Sequence, residues 1–75
     1  MKKMVRVFKT NITDTALAEE FVDSIHLNFS NYIANFDLED CDNILRIESF
    51  NNEICREAII NLIAEKGFYA EELPD

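Results

Sequence analysis

The sequence predicts an α+β sandwich: a four-stranded antiparallel sheet carrying two helices on one face. Three observations predict it. Short segments of alternating apolar and polar residues occur four times, two longer segments repeat apolar residues at helical spacing, and the order is βαββαβ. With 48% hydrophobic residues, a 75-residue chain can fill one core, and a single Gly and a single Pro leave no flexible linker. Residues 1–75 therefore read as one domain.

Met4 to Thr10 reads as the first strand, with Val5 and Val7 alternating against Arg6, which places the valines inward and leaves Phe8 on the opposite face. Thr13 and Asp14 are good N-cap residues for a helix whose Leu17, Ala18, Phe21 and Ile25 share a stripe and which ends near Asn28. Tyr32 to Glu39 alternates again, with Ala34, Phe36 and Leu38 against Asn35, Asp37 and Glu39. Asp40-Cys41-Asp42-Asn43 is turn chemistry, and Ile44 to Ser49 returns with Leu45 and Ile47 inward. Asn51 or Asn52 caps a second helix with a stripe of Cys55, Ala58, Ile59, Leu62 and Ile63, and Gly67 supplies a left-handed stop. Phe68 to Leu73 is the last strand. This order is the split βαβ, ferredoxin-like arrangement. Its wet sheet face is expected to carry Arg6, Asn35, Asp37, Arg46 and Glu48, and its core to centre on Ile59.

A net charge of -8 opposes the phosphate attraction on which nucleic-acid binding and anionic membrane surfaces depend. Basic partners or cations fit better. The basic Met1-Lys2-Lys3-Met4 start is followed by Arg6 and Lys9, which leaves no hydrophobic run for a signal peptide or a membrane span, so a cytoplasmic protein is expected. Cysteines in that compartment stay reduced. Cys41 at the hairpin tip and Cys55 at the start of the second helix are expected at opposite ends of the sheet, whereas a disulfide tolerates Cα separations only up to about 7 Å.

The stretch Ile59-Ile60-Asn61-Leu62-Ile63-Ala64-Glu65-Lys66-Gly67-Phe68-Tyr69-Ala70-Glu71, together with the element order over nearly the whole chain, resembles the heavy-metal-associated (HMA) domain family of copper chaperones and soft-metal ATPases. That family ends I-x-x-x-I-E-x-x-G-[YF]-x-A-E; here the glutamate is displaced. The family's signature, M-x-C-x-x-C at the first strand–helix junction, has apolar residues four and eight positions after the second cysteine. Counting back from Phe21 and Ile25 puts Ile12 at the methionine, Asp14 at the first cysteine and Leu17 at the second. Soft Cu(I) selects thiolates, whereas Asp14 is a hard oxygen donor and Leu17 no donor at all. The resemblance thus implies the family's fold without its thiolate chemistry.

Other candidate sites are thin. Asp14, Glu39, Asp40 and Asp42 are expected to gather at one end of the sheet with the Cys41 thiol, which suggests a weak cation site; such carboxylates also serve simply as turn formers and solubilising charge. His26, the only histidine, sits in the last helical turn, where the dipole favours positive charge and no second ligand or nucleophile accompanies it. Glu19-Glu20 and Glu71-Glu72 are sequence neighbours that point apart, so they lack the facing geometry of acid–base catalysis, and no phosphate loop or nucleophile motif occurs. Ile54, Ile60 and Ala64, outside the second helix's stripe, and Phe8 on the wet sheet face suggest an apolar interaction surface.

The sequence therefore reads as a cytosolic, non-catalytic binding or regulatory module of the HMA fold that has lost its thiolate site, requires no cofactor and acts on another protein. The alternative is a metal-binding domain using Cys41 with Asp14, Asp40 and Asp42. A third reading is an accessory subunit of a larger catalyst.

Overall fold

The computed structural model describes residues 3–38, 43–50 and 54–74. Their order is β1 (Met4–Thr10), α1 (Thr15–Asn28), β2 (Tyr32–Asp37), β3 (Ile44–Ser49), α2 (Arg56–Glu65) and β4 (Ala70–Glu72). The strands form one sheet in the order β2-β3-β1-β4, with every pair antiparallel. This is an α+β, ferredoxin-like fold with an open sheet. The expected bounds hold for β1, α1 and β3, whereas β2 stops at Asp37 and β4 is only three residues long.

Residues directly opposite in an antiparallel ladder share a face. Phe8 lies opposite Leu45, which lies opposite Phe36; Arg6 lies opposite Ile47, which lies opposite Ala34. Phe8, Leu45 and Ile47 are fully buried and pack with Ala18, Phe21 and Ile25 of α1 and with Ile59 and Ile63 of α2 in one cluster. Both helices therefore cover the same face. Phe36, Leu45 and Ile47 point inward as expected, and Asn35, Asp37, Arg46 and Glu48 point outward.

The register of β1 is the reverse of the expected one. Phe8 is in the core and Val5 is 38% exposed on the open face, where Val7 also lies. Arg6 lies on the helix-covered face. The strand alternates apolar residues on both faces, and an aromatic ring buries more surface than valine, so Phe8 decides which face turns inward. Arg6 is tolerated there because its stem is sheltered while Nη1 reaches Glu72 Oε2 at 2.8 Å.

The helix ends follow local chemistry. Asp14 caps α1 with extended dihedrals, and its side chain accepts the Leu17 N–H. At the end of α2, Gly67 at φ +86° donates to the Ala64 carbonyl (2.9 Å) and Phe68 donates to the Ile63 carbonyl (3.2 Å), the two bonds of a Schellman stop. That stop turns the Phe68 ring edge-on to Phe21, with centroids 5.9 Å apart.

The start of α2 differs from expectation. Cys55 is the N-cap, exposed and without a side-chain capping bond, rather than part of the core stripe; Asn51 and Asn52 lie outside the described residues. Ile54 is 4% exposed, so the chain entering α2 contributes to the core. With Phe8 buried and Ile60 half-buried as well, only Ala64 remains exposed of the expected apolar surface. Exposed large apolar residues include Leu27 on α1 and, on and beside the open sheet face, Val5, Ile33 and Phe50, with Lys3 Nζ 5.9 Å over the Phe50 ring and 2.7 Å from Glu48.

Candidate functional site

The β1–α1 loop is where the family resemblance would put two cysteine ligands. Asp14 and Leu17 do meet there, but through a capping bond: Asp14 Oδ1 accepts the Leu17 backbone N–H at 3.1 Å, and the Asp14 carbonyl accepts the Ala18 N–H at 2.9 Å. This satisfies donors that a helix start otherwise leaves orphaned. The Leu17 side chain is half-buried against the core, and Ile12 is fully buried beneath the loop. The loop is also tied on both sides. Thr10 Oγ1 donates to the Asn43 carbonyl (2.7 Å) and accepts the Ile12 N–H (3.2 Å), while Asn11 Oδ1 accepts the Tyr69 N–H (2.8 Å). The segment that would have to offer ligands is held by hydrogen bonds and packing.

Strand polarity brings this loop, the β2–β3 connection and the α2–β4 junction to one end of the sheet, as expected. Glu39, Asp40, Cys41 and Asp42 lie outside the described residues, so of the alternative metal set the structure places Asp14 alone. Among the described residues, no three His, Cys, Asp or Glu side chains converge on a position for a metal ion. Cys55 is an exposed free thiol at the opposite end of the sheet, its backbone N–H donating to Tyr32 Oη at 2.8 Å.

His26 has a structural task that its sequence context did not reveal. Its Nε2 accepts the Ala34 N–H at 3.0 Å, so the ring nitrogen acts as an acceptor and satisfies one backbone donor on the outer edge of β2. At the other edge, Glu72 Oε2 meets Arg6 and Oε1 meets Arg56 Nη1 at 3.4 Å, so Glu72 joins β1, β4 and α2. Glu71 points to the open face, where it accepts a hydrogen bond from the Tyr69 hydroxyl. That bond holds the exposed phenol above its ordinary titration range, with desolvation and the Glu71 charge acting in the same direction. The adjacent glutamates thus do point apart.

One concavity among the described residues was not anticipated. An open groove of about 600 Å³ runs between α1 and the β2 edge, walled by Ala18 and Val22 on the helix and by Ala34, Phe36 and Leu38 on the strand side, with Glu19 and Asp23 at its helical rim. The only sequence signal was indirect: Glu19 and Asp23 stand four apart, on one side of α1.

Among the described residues, no helix is long and apolar enough to cross a membrane. Comparisons with protein-family models, curated proteins and solved structures found no match to this chain.

Proposed function

We propose that this chain is a small, non-catalytic binding module of HMA-like descent that has given up thiolate metal carriage and acts on another protein. One observation carries the reading: Asp14 and Leu17, which stand where the family's two cysteines would be, serve as a helix cap and a packed side chain. A carboxylate engaged by a backbone donor and an alkyl side chain supply no soft ligand to Cu(I). The acidic balance of -8 favours a basic partner.

Competition against a Cu(I) chelator tests the loss of carriage. The natural protein should surrender copper to the chelator, whereas Asp14→Cys with Leu17→Cys should retain it, because cysteines one turn apart at a helix N-terminus are favoured as thiolates. Equal retention by the two proteins would sink both the correspondence of positions and the proposal.

A further inference from the structure

We propose that the groove between α1 and β2 receives an extended, basic peptide segment of a partner, which adds to the sheet as a fifth strand beside β2. This rests on the binding-module reading and names its site and the chemistry of its partner.

The backbone of β2 supplies the template. The Ala34 N–H points away from β3, since it is bonded to His26, and the Tyr32 N–H likewise turns outward to the Phe29 carbonyl at 3.0 Å. Along a strand these directions repeat every second residue, so the Phe36 N–H and C=O and the Ala34 C=O also face outward. Among the described residues none of these three groups has a partner. They form the short run of donors and acceptors that an added strand pairs with.

The side chains set what fits. A strand laid along this edge turns alternate side chains toward α1, where Ala18, Val22, Phe36 and Leu38 offer apolar wall beneath a charged rim; lysine suits these positions, its alkyl stem along the wall and its ammonium at the rim. Glu19 and Asp23 are exposed at the rim, and neither has an ion-pair partner among the described residues. Lysines at the α1-facing positions would complete those charges, while the residues between them, small and β-branched, turn to the open sheet face. A second copy of this chain is a poor occupant, because it would bring its own Glu19, Asp23 and net charge of -8 against the same rim.

The test is an amide NMR titration of the metal-free natural protein, at low salt and with chelator present, using a blocked hexapeptide that alternates lysine and valine. Saturable shifts confined to α1 and β2 are expected. Two controls separate strand addition from charge attraction. Methylating every second peptide nitrogen should abolish binding in one phase and spare it in the other. Glu19→Lys with Asp23→Lys, both on the exposed helix surface, should weaken binding by about tenfold. Equal binding by the charge-reversed protein, equal binding by both methylated phases, shifts centred on Val5, Ile33 and Phe50, no binding at all, or a dimeric free protein would each overturn the proposal. Because chelator is present throughout, failure here leaves the copper measurement to stand or fall separately.

Discussion

The two edges of the sheet are built differently. β4 has three residues, two of them glutamates, and Pro74 follows closely; Glu72 draws Arg6 and Arg56 together beside it. β2 is twice as long and borders an apolar groove, and His26 satisfies a single donor near its start. Short length, charge and proline are ordinary means of blunting an edge against unwanted pairing. The difference teaches that a fold with two exposed edges need protect them only unequally; the less protected one, β2, is the edge that the proposed strand would extend. Each edge also has its own helix, α1 packing on β2 and α2 on β4.

Substitutions on the two sides should therefore differ in size. Ile59→Ala, at a fully buried position of α2, should destabilise by roughly 2–5 kcal/mol in urea denaturation, whereas Val22→Ala, at the half-buried lip of the groove, should cost under about 1 kcal/mol. Equal costs would mean that the groove wall is part of the core. Glu72→Ala removes both ion pairs of the β4 side and leaves Arg6 without its partner beneath α2. After allowance for the exposure of the two arginines, a loss of about 1 kcal/mol is expected, read as a shift of the urea midpoint.

On the β2 side the matching substitution is His26→Ala, which exposes the Ala34 N–H to solvent and should cost about 0.5–1 kcal/mol. Its clearer mark is faster hydrogen exchange at Ala34 with little change at Arg46; uniform acceleration would show that the histidine supports the whole fold. The smallest effect belongs to Tyr69. Its phenol keeps its proton where an unfolded one releases it, so the contribution is whole below about pH 10 and is lost as pH climbs through the raised folded value. Ultraviolet titration should show the phenolate appearing earlier in Glu71→Gln than in the natural protein.

Much of the fold was legible because several signals agreed locally. The Asp14 cap followed by the Leu17, Ala18, Phe21 and Ile25 stripe defines α1, and Gly67 ends α2 by a mechanism written in one residue. β1 was misread because alternation alone does not say which face is inner. Val5 and Val7 share one face, Phe8 alone stood out on the other, and only Glu72, 66 residues away, makes an inward Arg6 acceptable. The groove was illegible for a related reason: it exists between elements, and neither the bond from Ala34 to His26 nor the outward direction of Phe36 leaves a mark in either segment's own pattern.

Native-state hydrogen exchange along β2 tests most directly whether this edge is an unfilled strand position. The alternation set by Ala34 makes the Asn35 N–H face β3 and the Phe36 N–H face outward. Asn35 should be protected as part of the ladder, Ala34 partly protected by His26, and Phe36 should exchange at close to the rate of an unstructured amide. Protection of Phe36 equal to that of Asn35 in the free monomer would contradict the account, because the position assigned to the partner's strand would already be occupied.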